Sequence, residues 1–468
     1  MSASLTLENI PGPIFTRICA HLSNQDLFSL QLTNHSLYTT IKKYENEIFH
    51  TKIITCSAPV NIAVIKYWGK RDEDLILPVN SSLSGTLDQS DLRSVTSVMA
   101  SRRLSEDELY LNGQRQDITY VRLQNCLNAV RQRAQTLDNR FGFVPKDAWQ
   151  HYHVKIVSVN NFPTAAGLAS SASGYCALVY TLSKLFGLHS SLSELSSIAR
   201  LGSGSACRSM FGGFVAWDMG ERDDGLDSKA RQIVDQSHWS DMHILVLVVC
   251  AGKKDVGSTA GMRNPVKGDL LAYRAKHIVP QRMEEITKAI QQRDLSVFCD
   301  LTMKDSDNFH EICAATIPPL YYMNDVSRDI QKVVRAYNAY KGKLTIAYTY
   351  DAGPNAVIYL PKSEVELFLA FILKCFPTQS SHDLSDGSSS NTSSSSSSST
   401  SEPFIRSSLF TFDHIANTKV EPDLISALDQ QSFGNPQPNA LHYIIHTKVG
   451  PGPQVLSDSH QVMSSINK

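Results

Sequence analysis

NNFPTAAGLASSASG, residues 160–174, is a run of small side chains that ends where a helical pattern begins. Larger apolar residues recur behind it at helical spacing: Tyr175, Leu178, Val179, Leu182, Leu185 and Phe186. An anion can approach the backbone of such a loop, where the first N–H groups of the helix and the helix dipole attract it. The stretch therefore predicts a phosphate-binding loop that opens onto a helix.

The residues of this loop that we expect to contact a nucleotide are Gly167, Leu168, Ala169, Ser170, Ser171, Ala172 and Ser173. Small side chains expose the backbone, and the serine hydroxyls can add contacts to phosphate or to Mg²⁺. Because the loop has neither G-x-x-x-x-G-K-[ST] nor G-x-G-x-x-G after a strand, it is not a P-loop or a Rossmann loop. Taken alone, an Ala/Ser/Gly stretch more often marks close helix packing than nucleotide binding.

The pattern P-x-x-x-G-L-A-S-S-A in residues 163–172 resembles the phosphate loop of the GHMP kinase superfamily, whose general form has Gly where this chain has Ala169. The resemblance implies an α+β fold of two lobes, with a ribosomal protein S5-like N-terminal lobe and an α/β-sandwich C-terminal lobe. It also implies that ATP binds at this loop as a co-substrate, together with Mg²⁺.

Residues 58–71 read APVNIAVIKYWGKR and place cationic and aromatic side chains directly after an apolar strand. Most lysine pairs lie on an exposed, solvated face. Here, however, a Gly follows the Trp and allows a close backbone approach, and a fixed ammonium suits a diphosphate or a carboxylate. We therefore assign the patch to an anionic substrate, with candidate contacts Lys66, Tyr67, Trp68, Gly69 and Lys70.

Residues 202–213, GSGSACRSMFGG, surround one arginine with small and hydroxyl-bearing side chains. A guanidinium is permanently protonated and offers two parallel donors to a carboxylate, so Arg208 is a candidate carboxylate clamp. A structural salt bridge is the alternative. The turn can wrap backbone amides and hydroxyls around an anion, and its candidate contacts beside Arg208 are Ser203, Gly204, Ser205, Ala206 and Cys207.

Residues 347–356, AYTYDAGPNA, end an apolar strand with Asp351, just before an Ala-Gly-Pro turn. Loops at strand ends commonly carry catalytic groups. An Asx-turn that only closes the loop is the alternative. Asp351 is therefore the candidate acid–base group of the chain.

Taken together, these motifs resemble the mevalonate diphosphate decarboxylases, a GHMP family that makes isopentenyl diphosphate from mevalonate 5-diphosphate with ATP. The resemblance covers about residues 51–376 and resumes at 441–456. It implies that Asp351 meets the tertiary hydroxyl of the substrate, that Lys66 keeps Asp351 ionised, and that Arg208 holds the carboxylate. Further substrate-binding positions are matched by Arg122, Thr259 and Met262.

The same resemblance implies that ATP phosphorylates the hydroxyl, that phosphate and CO₂ then leave, and that the product serves isoprenoid and sterol synthesis. It also implies a homodimer. Two enzyme alternatives remain: a GHMP kinase that stops at the phosphorylated product, and a decarboxylase that acts on the monophosphate. A ubiquitin-ligase subunit that uses the enzyme-like body for binding alone is the alternative from another class.

The composition excludes several classes of partner. The 44 basic and 45 acidic residues nearly cancel without a basic arm, which argues against nucleic acid as the standing partner.

The nine cysteines never form C-x-x-C, so we expect reduced thiols and a cytosolic location. The chain begins without a signal-peptide pattern, and its most apolar run, 244–250, is too short to span a bilayer and predicts a buried strand.

With 468 residues the chain can form two packed lobes, which we expect at 51–240 and 241–468, with a flexible Ser-rich insertion at 379–401. Residues 1–50 have apolar positions at helical spacing and resemble an F-box, the module that docks onto a ubiquitin-ligase adaptor. An amphipathic arm packed on the enzyme, or a segment joined by an inaccurate gene model, are the alternatives. Strand-like runs lie at 51–55, 153–159, 243–249, 344–350 and 441–447.

Overall fold

The computed structural model describes residues 52–139, 142–162, 170–249, 256–377, 404–412, 418–457 and 462–463, together with residues 22 and 415. The F-box-like segment, apart from Leu22, and the Ser-rich insertion lie outside the described residues. So do Gly167, Leu168 and Ala169 of the phosphate loop. Within the described ranges the cysteines are buried free thiols, and no helix is long and apolar enough to cross a membrane.

The strands form one six-stranded, one four-stranded and one five-stranded sheet within the described part of the chain. In chain order they are β1 (Lys52–Pro59), β2 (Asn61–Ile65), β3 (Lys70–Asp72), β4 (Leu77–Pro78), β5 (Ser82–Thr86), β6 (Arg93–Ser101), β7 (Glu108–Leu111), β8 (Gln114–Gln116), β9 (Leu137–Asn139), β10 (Gly142–Val144), β11 (His153–Asn160), β12 (Phe214–Trp217), β13 (Ala230–Val234), β14 (Met242–Val249), β15 (Ala347–Tyr350), β16 (Ala356–Pro361), β17 (Ile405–Ser407), β18 (Leu441–Lys448) and β19 (Gln454–Val455). The sheet orders are β19-β1-β6-β11-β7-β8, β13-β12-β5-β2 and β15-β16-β14-β18-β17, and β3-β4 and β9-β10 form two small antiparallel pairs.

The helices cover the outer faces of these sheets or pack between them. They are α1 (Val121–Arg131), α2 (Ser170–Leu185), α3 (Leu192–Gly202), α4 (Ser258–Gly261), α5 (Leu270–Tyr273), α6 (Val279–Gln292), α7 (Leu295–Ala314), α8 (Asp325–Lys341), α9 (Val365–Cys375) and α10 (Pro422–Asp429). Short 3₁₀ helices occupy Lys146–His151, Gly204–Met210 and Lys362–Glu364, and a π-helical turn occupies Arg274–Ile278.

The strand-like runs of the sequence are confirmed as β1, β11, β14, β15 and β18. The helical pattern behind the phosphate loop is confirmed as α2. The expected two-lobed α+β fold is also confirmed by the mixed sheets and helices and by the structural relatives described below. The run at 344–350 becomes regular strand at Ala347, later than the sequence predicts.

The six-stranded sheet buries one face under α1, α2 and α3. Ile54, Val98 and Ile156 stand side by side in the register of β1, β6 and β11, and all three side chains are buried. They share a core with Cys176 and Leu182 of α2. Burial of each such aliphatic side chain contributes roughly 1.5–3 kcal/mol, so α2 is held firmly against the inner strands β1 and β6 of this sheet.

A second core joins the two halves of the chain. Ile62 of β2 and Val357 of β16 pack into one buried cluster with Phe298 of α7. The Tyr359 hydroxyl of β16 donates to the carbonyl oxygen of Ile62 at 3.1 Å. Because strands from distant parts of the sequence share this core, the end of β2 and the end of β15 are fixed relative to each other.

The C-terminal segment returns to the first sheet. β19 pairs antiparallel with β1, with Cys56 opposite Val455 and Ser57 opposite Gln454. The N–H of Gly450 also donates to the carbonyl oxygen of Thr86 at 2.9 Å. The six-stranded sheet therefore contains strands from both ends of the described chain.

Gly85 is a sharp test of the shared core, because a Cβ at this position would lie 2.8 Å from the Tyr359 hydroxyl oxygen. We predict that Gly85→Ala destabilises the fold by about 1–3 kcal/mol, the usual cost of overpacking a core. The measurement is the apparent Tm of the purified variant. Gly434→Ala, where a Cβ meets nothing within 4 Å, is the control. Equal Tm values for the two variants would contradict this account of the core.

Candidate active site

Lys66 and Asp351 lie immediately after β2 and β15, respectively, and their side chains meet. The Lys66 Nζ atom is 2.6 Å from the Asp351 Oδ1 atom. The Lys66 side chain is 2% exposed and the Asp351 side chain is 34% exposed. The Thr349 hydroxyl donates to the carbonyl oxygen of Ala63 at 3.3 Å and ties the two strands together just before their ends. Two motifs far apart in the sequence therefore form one site.

The Lys66 ammonium is an unusual cation because it is fully buried. Burial lowers its pKa below the usual lysine value, although the charges of Asp351 and Asp305 oppose the shift. Arg208 also lowers this pKa through like-charge repulsion. The proton shared by Lys66 and Asp351 is therefore held more weakly than the proton of a surface lysine.

Arg208 lies in a cage of neutral oxygens. Its Nε atom donates to Ser84 Oγ at 3.0 Å and to Asn61 Oδ1 at 3.3 Å, and its Nη1 atom donates to Ser82 Oγ at 2.6 Å. The residue is 2% exposed. No carboxylate in the described ranges forms an ion pair with it, although a buried charge is costly without a partner. Arg208 can therefore receive an anionic ligand.

The 3₁₀ helix Gly204–Met210 carries Arg208, whose guanidinium carbon lies 5.9 Å from the centroid of the Trp217 ring. A Cβ on Gly204 would lie 2.8 Å from Tyr67 Cε1, so the turn packs directly on the Tyr67 ring. The Tyr67 hydroxyl is buried and lacks a hydrogen-bond partner among the residues that the structure describes. Burial raises the pKa of the Cys207 thiol to about 12, so Cys207 is an inert packing residue. The neighbouring residues Ser203, Ser205 and Ala206 complete the turn.

Residues 66–70 form a patch of lysine and aromatic side chains, called here the lysine–aromatic patch. Its other residues, Trp68, Gly69 and Lys70, are held by packing, backbone conformation or an ion pair. Trp68 is buried, and its ring packs edge-on against Phe309 and Tyr322, with centroid distances of 5.1 and 6.0 Å. Gly69 has a φ of +84°, which favours glycine. The Lys70 Nζ atom lies 2.8 Å from Glu73 Oε2, a partner that the sequence did not predict.

Two of the weaker sequence matches also come together. Arg122 of α1 donates from Nη1 to the Thr259 hydroxyl of α4 at 3.4 Å. Met262, at the end of α4, packs against the buried cluster that contains Trp68. The Arg122 charge also lowers the pKa of Tyr67, against the larger opposite effect of burial. The structure therefore brings α1 and α4 to the lysine–aromatic patch.

The start of α2 borders both the arginine turn, residues 202–213, and a separate cavity. The Ser171 hydroxyl lies 3.1 Å from the Ser203 hydroxyl of the arginine turn. Ser173 is buried, and its hydroxyl lies 2.7 Å from the Ser94 hydroxyl of β6, so it attaches α2 to the sheet. Ala172 is also buried. Ser170 and Ser171 are thus the loop hydroxyls available to a ligand.

The cavity beside α2 has a volume of about 250 Å³. Its walls are mainly apolar with a few hydroxyl and amide groups, a composition typical of small-molecule sites. The residues that line it include Leu109, Leu111, Leu123, Ile156, Asn160, Ser170, Ser171, Tyr175 and Leu178. Ser170 and Ser171 thus place the first turn of α2 in the wall of this cavity.

A resident metal site is not formed by protein groups alone in the described ranges, where His, Cys, Asp and Glu make no cluster of three or more. Mg²⁺ commonly binds through one or two protein groups and the phosphates of a substrate, so it does not require such a cluster.

Comparison with known proteins gives the same picture for most of the chain. Residues 58–230 match the diphosphomevalonate decarboxylase-like N-terminal domain, and residues 244–456 match the mevalonate 5-diphosphate decarboxylase C-terminal domain. Diphosphomevalonate decarboxylase from Bos taurus is 46% identical over 408 residues, which cover 87% of this chain and 94% of the relative.

Solved structures agree with this assignment. Mevalonate diphosphate decarboxylase from Trypanosoma brucei superposes with a TM-score of 0.72 at 35% identity and covers 88% of this chain and 100% of its own. A structure of MDDEF in complex with MVAPP, AMPPCP and magnesium has a TM-score of 0.63 at 27% identity, with 87% and 99% covered. The convergence of Lys66, Asp351 and Arg208 lies within this common fold, and the chain belongs to the diphosphomevalonate decarboxylase family.

Proposed function

We propose that Lys66, Asp351 and Arg208 carry the ATP-dependent conversion of mevalonate 5-diphosphate to isopentenyl diphosphate, with release of ADP, phosphate and CO₂. The family assignment gives the reaction. The residue roles rest on the contact of 2.6 Å between Lys66 and Asp351 and on the burial of Arg208.

The first step in this scheme is phosphoryl transfer to the tertiary hydroxyl of the substrate. Asp351 accepts the hydroxyl proton while the oxygen forms a bond to the γ-phosphorus of ATP and the bond to ADP breaks. Hydroxide is a poor leaving group, whereas phosphate is a good one. Lys66 holds the Asp351 carboxylate in place through the contact of 2.6 Å.

The second step removes phosphate and CO₂. The C–O bond to phosphate breaks, and the electron pair of the bond to the carboxyl carbon forms the new double bond. Arg208 holds the carboxylate until CO₂ leaves, and its position in a buried cage supports a site from which water is excluded. Positive charge on the reacting carbon is thereby protected from water.

The diphosphate of the substrate is assigned to the lysine–aromatic patch and its neighbours. Tyr67 offers a buried hydroxyl without a described partner, and Arg122 and Lys70 offer positive charge. Ser203, Gly204, Ser205, Ala206, Thr259 and Met262 complete this proposed surface. Trp68 and Gly69 support it through packing and backbone conformation.

ATP is assigned to the cavity and to the first turn of α2, where Ser170 and Ser171 meet the phosphates. Mg²⁺, when it enters with ATP, supplies charge neutralisation for the transferred phosphoryl group. The magnesium complex of MDDEF with AMPPCP supports this assignment. Gly167, Leu168, Ala169, Ala172 and Ser173 complete the proposed loop by family resemblance. A homodimer, a cytosolic location and adaptor binding through residues 1–50 remain predictions.

The reaction can be tested by measuring ADP and CO₂ from purified protein supplied with Mg-ATP. We predict equal amounts of ADP and CO₂ from mevalonate 5-diphosphate and little of either from the 5-monophosphate, because the cationic patch matches a diphosphate. ADP without CO₂ would identify a kinase. Neither product from either substrate would favour the binding-subunit alternative.

We predict that Asp351→Asn lowers kcat by roughly 10²- to 10⁴-fold, the usual contribution of a positioned acid–base group. Substrate binding should persist, because the amide keeps the size and the hydrogen-bonding oxygen. The measurement is kcat in parallel with calorimetric titration of mevalonate 5-diphosphate. Asp300→Asn, which removes an exposed partner of Lys304, is the matched control. Turnover near that of the control would remove Asp351 from its role.

We predict that Arg208→Gln lowers kcat/KM for mevalonate 5-diphosphate by about 10- to 100-fold, from the loss of a charge-assisted hydrogen bond to the carboxylate. The KM for ATP should change much less. Arg231→Gln, which breaks an exposed pair with Asp218, is the control for loss of an arginine. An equal rise in both KM values would instead indicate a general distortion of the site.

A further inference from the structure

A buried ion cluster lies directly behind Lys66 and uses none of the residues assigned above to substrate or ATP. Its centre is Asp305 of α7, whose side chain is 0% exposed. Arg274 donates from Nη1 and Nη2 to the two carboxylate oxygens, at 2.8 Å each. Arg282 of α6 donates to Oδ1 at 2.8 Å. One carboxylate thus joins the π-helical turn, α6 and α7.

The same carboxylate also binds the backbone of Lys66. The Lys66 N–H donates to Asp305 Oδ2 at 2.7 Å. On the other side of the residue, the carbonyl oxygen of Lys66 accepts from Arg274 Nη2 at 3.3 Å and from Asn80 Nδ2 at 3.0 Å. Both polar backbone groups of Lys66 are therefore held by buried side chains from other elements.

Stability gives a weak reason for this arrangement, since apolar residues of similar volume often stabilise a core as well as a buried ion cluster does. Position gives a stronger reason. The end of β2 must hold Lys66 so that its side chain reaches Asp351, and a displacement of about 1 Å at a reacting group can cost 10²-fold in rate. The cluster fixes Lys66, the residue directly after β2, whose side chain contacts Asp351.

We propose that Asp305 is a positioning residue for the reaction. It fixes the backbone of Lys66, and its negative charge keeps Lys66 a cation. The inference rests on the proposed role of Lys66 and Asp351. Asp305 itself touches neither substrate nor ATP in this account.

The charges around the Lys66 ammonium support the second part of the proposal. Asp351 and Asp305 favour its protonated form, and Arg208 disfavours it. His310 is another titratable neighbour; burial and Lys66 lower the pKa of its imidazole to about 3, so it is neutral at working pH. Without the Asp305 charge, the two arginines of the cluster would stand unpaired beside Lys66. The pKa of Lys66 would then fall further.

The test is the pH dependence of kcat for the full chain with Mg-ATP and mevalonate 5-diphosphate. We predict that Asp305→Asn lowers kcat by about 10- to 100-fold, changes each KM much less, and moves the alkaline limb to lower pH by about one unit. Asp305→Glu should keep the limb in place, because it keeps the charge, while its extra methylene lowers kcat. Asp307→Asn, on the same helix but bonded to Tyr348, should leave the limb unchanged.

Arg282→Gln keeps the test decisive if Asp305→Asn fails to fold. Arg282 is partly exposed, and its Nη1 atom lies 2.8 Å from Asp305 Oδ1, the oxygen that does not bind the Lys66 N–H. Asp305, Arg274 and Arg282 together carry one net positive charge, and the loss of Arg282 brings it to zero. Lys66 should then stay protonated to higher pH, and the alkaline limb should move to higher pH. Opposite shifts for the two variants cannot come from general loss of packing. Failure of the limb to move in Arg282→Gln and in any folded Asp305→Asn protein would overturn the proposal.

Lys66→Met in the same assay separates this inference from the proposed function. Full activity in Lys66→Met would remove Lys66 from the reaction and overturn both. Inactive Lys66→Met protein beside folded Asp305→Asn protein with wild-type kcat and pH profile would overturn the role of Asp305 alone.

Discussion

The contact between the Lys66 ammonium and the Asp351 carboxylate depends on two strand ends that are 285 residues apart in the sequence. Neither strand could hold this geometry by itself. β2 and β15 meet because Ile62, Phe298 and Val357 share one buried core and because hydroxyls of Thr349 and Tyr359 bind carbonyl oxygens of β2. The core shared by β2 and β16 therefore positions the two side chains of the candidate active site.

The electrostatic design follows from the substrate class. Lys66, Arg208 and Arg274 are all buried, and Asp351 and Asp305 provide negative charge within the group. Arg208 has neutral hydroxyls around it instead of a carboxylate. A substrate that brings a carboxylate and a diphosphate would complete this balance and would exclude water on binding. The polar groups of this site are held in place by hydrogen bonds within the protein.

Local sequence patterns predicted the parts of this structure that depend on nearby residues. The apolar run of β14, the helix α2 behind the small-residue loop, and the position of Asp351 after a strand are all readable in short windows. Resemblance predicted the two-lobed fold and that Lys66 lies near Asp351. The sequence did not reveal Asp305, because a carboxylate in a helix has no local signal that it will bind a backbone N–H 239 residues away. For Trp68 the motif predicts a ligand contact, and the structure adds a packing contact with the Phe309 ring that the sequence did not reveal.

The most direct measurement is a crystal structure of Asp351→Asn with mevalonate 5-diphosphate bound. We predict that the tertiary hydroxyl lies within hydrogen-bond distance of the side chain at position 351, that the carboxylate binds Arg208, and that the diphosphate lies against Tyr67 and Lys70. A substrate bound with its diphosphate on Arg208, or with its hydroxyl away from Lys66 and position 351, would contradict the assignment of the site.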